Sequence, residues 1–220
     1  MNQLKSFIWK EFTLEWRNKN AFNTVLLYLV STIFICYLSF NLGPGNLQTV
    51  TWNALFWIIL TFANISGAAK SFLHEGEGKV IYYYTLCPPS IILASKLIFN
   101  LALSLIISLF GFLFYSVIFG NPIVNVLYFF ISILLASLGF SAILTLVSGI
   151  ISKANNSTTL MAVLSFPLLL PVLLVAIGVS KNAIDGLDTS IMMPKLLTLC
   201  AVDAIVVTTA FLLFPFIWRN

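Results

Sequence analysis

Six long apolar segments constrain this chain more than any other feature of its sequence. A helix needs about 20 apolar residues to cross the hydrocarbon core of a membrane, and continuous runs without period-two alternation exclude a strand barrel. Only 8% of the residues are charged and 60% are hydrophobic, which a soluble domain could not accommodate. The sequence therefore predicts an all-α membrane protein with six transmembrane helices, at about residues 21–41, 50–69, 91–119, 124–151, 158–179 and 195–217. Residues 1–220 then form a single transmembrane domain.

The first 20 residues carry charges and precede the first apolar segment. Trp9 and Trp16, together with four Lys or Arg residues, predict an amphipathic helix that lies in the headgroup layer. Glu11 and Glu15 interrupt its apolar face, so a solvated leader remains the alternative.

The distribution of Lys and Arg predicts the orientation of the chain. With both termini cytoplasmic, nine basic residues lie inside and two lie outside, which satisfies the positive-inside rule. We therefore expect a multi-pass protein of the inner membrane. The inner residues are Lys5, Lys10, Arg17, Lys19, Lys70, Lys79, Lys96, Lys153 and Arg219, and the outer ones are Lys181 and Lys195. The outer connections are short, at 41–49, 120–122 and 180–194.

Residues 71–89 form the long charged interruption between the second and third apolar segments. On the predicted topology this segment is cytoplasmic, and it is where a soluble partner would bind. The chain carries no Walker A or GxGxxG motif, so an energy source would have to be another chain. The candidate coupling residues are His74, Glu75, Gly76, Glu77 and Gly78. Metal or haem ligation by the lone His74 is the less favoured interpretation.

Small residues recur every four positions in the fourth apolar segment, which places them along one face of a helix. They are Ser137, Ser141, Thr145 and Gly149. Small residues let membrane helices approach closely. This stripe therefore predicts a packing face, within one subunit or between two copies, and a polar transport path is the alternative.

The fifth segment carries Pro167 and Pro171 one turn apart. Because each proline removes a backbone hydrogen bond, this pair predicts a bend or break with a role in gating.

Three other residues place polar groups inside spans. Asp203 in the last segment is a candidate substrate or gating contact or a structural acid. Asn53 and Asn64 in the second segment have the same two interpretations, with the structural one favoured.

Other chemistry is not indicated by the residues. The three cysteines show no CxxC spacing, so neither a disulfide framework nor a metal site is predicted. The small, scattered net charge of +4 does not fit a nucleic-acid interface. We expect no catalytic residue, no metal and no directly bound cofactor in this chain.

Two stretches of the chain resemble the CcmB family, the permease of the ABC transporter for cytochrome c maturation. They are AAKSFLHEGEGKVIYYYTLCPPSIILASKL at 68–97 and SFPLLLPVLL at 165–174. The acid, glycine, proline and lysine of the family pattern correspond to Glu75, Gly78, Pro88 and Lys96. The resemblance extends over essentially the whole chain.

The resemblance implies a half-transporter with specific partners. Residues 71–89 would form a cytoplasmic coupling helix between spans 2 and 3, as in ABC exporter permeases. A separate cytoplasmic ATPase would bind ATP and dock on this segment, and a second permease copy or a related six-helix subunit would pair with this chain. A haem-handling membrane subunit would join the complex, with haem as a possible cargo or with ATP-driven release of a haem-loaded chaperone. Two alternatives remain open: a permease for another cargo such as a lipid or drug, and a membrane scaffold without transport.

Overall fold

The computed structural model describes residues 2–18, 20–40, 47–68, 88–151 and 157–219. Within these ranges every regular element is an α-helix. The helices are α1 (Asn2–Asn18), α2 (Asn20–Phe40), α3 (Thr49–Ala68), α4 (Pro89–Phe119), α5 (Val126–Ile151), α6 (Ser157–Ile184) and α7 (Thr189–Arg219).

Six of these helices, α2 to α7, are long and apolar enough to cross a membrane. The predicted all-α membrane fold is therefore confirmed. Helices α4 and α7 each have 31 residues, or about 46 Å at the usual rise per residue. Because the hydrocarbon core is only about 30 Å thick, both must tilt or extend beyond it.

Helix α5 is the centre of the bundle. It packs against α4, α6 and α7 and also contacts α3. Its apolar window is 72% buried, compared with 17% for α2 and 22% for α7. The small residues along α5 allow three neighbours to approach it at once, whereas α2 and α7 leave large apolar faces for lipid.

The N-terminal helix α1 packs on the bundle, mainly on α4 and to a smaller extent on α2. The backbone N–H of Phe22, at the start of α2, donates to the carboxylate of Glu15 over 3.1 Å. Trp9 is 75% exposed on the side of α1 that faces away from the bundle, and its place in the headgroup layer stays a prediction. We call the end of the bundle at which α1 lies the α1 end, and the opposite one the far end.

Prolines define the start of α4 at the α1 end. Pro88 is extended, with φ −65° and ψ 148°, and Pro89 occupies the first turn of the helix. The first helical position suits proline because its missing N–H would have no partner there.

The connection between α6 and α7 is shorter than the sequence indicated. Residues 180–194 were expected to form an outer loop, but α6 continues to Ile184 and α7 begins at Thr189. Gly186 makes the tight turn possible, because its φ is +69° and a Cβ there would lie 2.9 Å from Cγ1 of Val124. Pro194 stays inside α7, since a proline in a membrane helix removes one hydrogen bond without ending the helix.

Candidate functional site

A line of buried polar side chains runs between α4 and α5 through the middle of the bundle. Both helices place these residues at four-residue spacing, which puts each set on one helix face. All of them are buried. We call this set the polar seam; it consists of Lys96, Asn100, Ser104 and Ser108 on α4 and Ser137, Ser141 and Thr145 on α5.

Direct hydrogen bonds join the two helices at two levels of the polar seam. The side-chain amide of Asn100 donates to Oγ1 of Thr145 over 2.8 Å, and the hydroxyl of Ser137 donates to Oγ of Ser108 over 3.2 Å. Between membrane helices, close packing and such bonds replace the hydrophobic effect as the source of association. The polar seam therefore holds α4 against α5.

An ion pair closes the polar seam at the α1 end. The ammonium of Lys96 lies 3.4 Å from Oε1 of Glu11, and that of Lys10 lies 2.9 Å from the same oxygen. Lys96 is 0% exposed and Glu11 is 6% exposed. Next to them the ring of Phe12 packs edge-on against Phe99, with centroids 5.3 Å apart. Glu11 interrupts the apolar face of α1 because it reaches the base of α4.

A small cavity opens beside the middle of the polar seam. Its volume is about 10 Å³, which is room for about one water molecule. Of its lining groups, Asn100 Oδ1 and Ser104 Oγ are buried and have no hydrogen-bond partner among the described residues. The lining residues are Asn64, Ala68, Asn100, Leu103, Ser104, Ile107, Ser141 and Leu144.

Asp203 places a carboxyl group between α7 and α5. Its side chain is buried, and neither carboxyl oxygen has a hydrogen-bond partner within the described part of the chain. It lies directly against Gly139, where a Cβ would collide with Oδ1 of Asp203 and with Val172 on α6. Gly139 thus provides the space for this acid. An ionisable residue inside a membrane is a functional candidate by default.

Polar and aromatic groups tie the helices together at the far end. The indole N–H of Trp57 donates to Oγ of Ser180 over 2.7 Å, and that hydroxyl donates to Oδ1 of Asn53 over 2.9 Å. Asn53 in turn donates to the carbonyl of Ile177. The indole N–H of Trp52 donates to the carbonyl of Gly120 over 3.0 Å. Asn53 therefore connects α3 to α6.

The other sequence-predicted residues occupy different places. His74, Glu75, Gly76, Glu77 and Gly78 lie outside the described residues. Pro167 and Pro171 are exposed on α6, which continues through both without interruption. Asn64 lines the cavity and donates to the carbonyl of Leu60.

The small-residue stripe of α5 faces other helices of the same chain. Three of its members belong to the polar seam, and Gly149 lies against Phe214 of α7, with its would-be Cβ 3.0 Å from the ring. In this arrangement the stripe lies inside one subunit.

Metal coordination finds no support in the described part of the chain, where no three His, Cys, Asp or Glu side chains come together. The polar seam offers neutral hydroxyls and an amide along most of its length and the ammonium of Lys96 at the α1 end, and Asp203 adds a carboxyl group. Such groups bind by hydrogen bonding.

The α4 half of the polar seam and the role of Glu11 were not predicted from the sequence. The four-residue recurrence of Lys96, Asn100, Ser104 and Ser108 is visible in the sequence and could have identified that helix face. The pairing of Glu11 with Lys96 has no such signal, because it joins two distant segments through the docking of α1.

Comparison with protein families gives a match over nearly the whole chain. The model of the family described as CcmB protein matches residues 2–216. Comparison with curated proteins and with solved structures finds no match.

Proposed function

The chain belongs to the CcmB family, the membrane components of haem-export ABC transporters, and on that premise we propose that it is the permease subunit of such a transporter in cytochrome c maturation. The single observation that carries this proposal is the family match across residues 2–216. A separate cytoplasmic ATPase supplies the energy. The outcome is haem export, or ATP-driven release of a haem-loaded chaperone on the outer side.

The α1 end faces the cytoplasm in this proposal. Of the nine basic residues predicted for the inner side, Lys5, Lys10 and Arg17 lie on α1 and Lys96 lies at the base of α4, whereas the far end carries Lys181 and Lys195. The positive-inside rule supports this orientation. Both termini and residues 71–89 then lie where a cytoplasmic ATPase can reach them.

The ATPase docks on residues 71–89 and moves the base of α4. This segment leads directly into Pro89, the first residue of α4. Lys96 lies two turns further along and is paired with Glu11 of α1. A displacement of the segment therefore moves α1 and the base of α4 together, because separating them would leave a buried charge without its partner.

The polar seam carries this displacement to the centre of the bundle. Its hydrogen bonds join α4 to α5, and α5 contacts most of the other spans. Asp203 meets α5 at Gly139, so a shift of α5 changes the surroundings of this acid. We assign Asp203 the role of an intramembrane contact whose surroundings change during the ATPase cycle. We assign Pro167 and Pro171 the role of a flexible point in α6.

Charge reversal in residues 71–89 tests the coupling role. The double variant Glu75→Lys, Glu77→Lys should abolish copurification of the ATPase and leave membrane insertion intact. Its matched control is Asp185→Lys, Asp188→Lys, which makes the same charge change in the exposed far-end turn and should leave copurification unchanged. Unchanged copurification of the ATPase with the Glu75, Glu77 variant would refute the coupling role.

A catalytically inactive ATPase tests whether the complex is an ATP-driven transporter or a scaffold without transport. Substitution of the catalytic base of the partner ATPase should abolish cytochrome c maturation while the complex still assembles. Maturation that continues with the dead ATPase would show that the chain is a scaffold.

A further inference from the structure

The polar seam has three levels at which α4 and α5 face each other, and the middle level has no direct hydrogen bond between them. Along the antiparallel helices, Asn100 is bonded to Thr145 and Ser108 is bonded to Ser137. The level between them holds Ser104 of α4 and Ser141 of α5, which line the same small cavity. The two outer levels have direct bonds, and the middle one has a cavity in the place of a bond.

We propose that this cavity is a binding site for one ordered water molecule, which forms the middle connection between α4 and α5. Its volume of about 10 Å³ is about that needed for a single water. Two of its lining groups, Asn100 Oδ1 and Ser104 Oγ, are buried without a hydrogen-bond partner among the described residues. In a membrane interior no bulk water satisfies such groups, and each costs free energy when it stays unpaired.

The available donors and acceptors match one water molecule. Asn100 Oδ1 accepts one water hydrogen, since the amide nitrogen of this residue is already bonded to Thr145. Ser141 donates its own hydroxyl hydrogen to the carbonyl of Leu138, so its oxygen accepts the second water hydrogen. Ser104 donates its hydroxyl hydrogen to the water oxygen. The water thus makes three hydrogen bonds, which is typical for a buried water.

The charge around the cavity excludes a cation as its occupant. No carboxylate is among the lining residues, and the nearest ionised group along α4 is the ammonium of Lys96, one turn from Asn100. A cation there would lose its hydration in return for neutral oxygens only and would face a positive charge. Water is the neutral ligand that supplies both donors and an acceptor.

Radical labelling of leucines tests the proposal in the intact complex in lipid nanodiscs. Hydroxyl radicals generated from bound water by an X-ray pulse oxidise the side chains beside that water. Leu144 lines the cavity and Leu169 does not, and they are 2% and 0% exposed. We expect several-fold more oxidation at Leu144 than at Leu169. Equal oxidation of the two leucines would overturn the proposal.

Two substitutions of Ser104 separate water from side-chain motion. Ser104→Ala enlarges the cavity, so the oxidation of Leu144 should persist. Ser104→Val fills the cavity with methyl groups, so the oxidation of Leu144 should fall to the level of Leu169. Unchanged oxidation of Leu144 in an assembled Ser104→Val complex would overturn the proposal. If this variant does not assemble, the comparison of Leu144 with Leu169 in the native chain decides the matter.

Discussion

The two ends of the bundle are held together in different ways. At the far end, aromatic rings pack in a continuous cluster around Trp52, which stacks on Phe56 and contacts Tyr115 and Phe129. The short α4–α5 and α6–α7 connections meet there, since the backbone N–H of Asn125 donates to the carbonyl of Ala183. At the α1 end, the described contacts between α1 and α4 include the Glu11–Lys96 ion pair and the edge-on packing of Phe12 against Phe99.

This difference indicates which end of the bundle stays fixed and which end can move. Many short-range contacts make the far end a fixed point, because removal of any one leaves the others in place. At the α1 end the Glu11–Lys96 pair buries two charges, so removal of Glu11 would take the carboxylate away from a fully buried ammonium. In the proposed transporter the energy of the ATPase enters at the α1 end, so motion there about a fixed far end follows from the packing.

The largest effect on stability is expected from Trp52→Ala in the far-end cluster. Truncation of a buried tryptophan costs about 3–5 kcal/mol, and this side chain is 1% exposed. The free energy of unfolding in detergent should fall by that amount while ATPase copurification stays unchanged. The control Phe34→Ala removes a lipid-facing ring on α2 and should have little effect. If the folded Trp52→Ala variant lost the ATPase in copurification, the far end would also take part in coupling, and the contrast between the two ends would be wrong.

The next largest effect is expected from Lys96→Met at the α1 end. Removal of one partner of a buried ion pair costs about 3 kcal/mol, and the loss should not exceed that value because Glu11 keeps its contact with Lys10. The double variant Glu11→Met, Lys96→Met removes both charges and should recover most of the stability. Thermal unfolding of the single and double variants gives the coupling energy, and strictly additive losses would show that the pair does not hold α1.

Gly186→Ala should have an intermediate effect at the far end. A non-glycine residue in the left-handed region costs about 1–3 kcal/mol, and the new Cβ would also press on Val124. Combining it with Val124→Ala should relieve the collision and leave the backbone strain. Full recovery of the unfolding free energy in the double variant would contradict the strain argument.

The smallest effect is expected from Trp57→Phe. This change removes the N–H that donates to Ser180 and replaces the buried indole by a smaller phenyl ring. Hydrogen bonds between membrane helices average about 0.6 kcal/mol, the smaller ring adds the cost of a partial cavity, and the unfolding free energy should drop by about 1 kcal/mol. A drop as large as that of Trp52→Ala would show that the far end depends on this one bond rather than on its many contacts.

Much of the fold could be predicted from the sequence, because a membrane span is a local property of about 20 residues. All six spans follow from apolar runs. The α6–α7 turn was placed wrongly because Lys181, Asp185 and Pro194 resemble loop residues in composition. Whether they form a loop depends on the left-handed Gly186 and its contact with Val124, which composition does not encode.

The candidate site could be predicted only in part. The stripe containing Ser137, Ser141 and Thr145 was found because its spacing is local to one helix. Its partners on α4 depend on how two helices rotate toward each other. The pairing of Glu11 with Lys96 and the fit of Asp203 against Gly139 depend on contacts between segments far apart in the chain, and no local pattern reports them.

The Glu11–Lys96 pair also has a consequence for biogenesis. Translation releases α1 first, and Lys96 is synthesised only after two spans have been made. Until then the acid of α1 has no partner on α4, and Lys96 then enters the bilayer with a charge that insertion disfavours. Docking of α1 onto the third span therefore follows the synthesis of that span, and it brings the carboxylate of Glu11 to the ammonium of Lys96 at the start of α4.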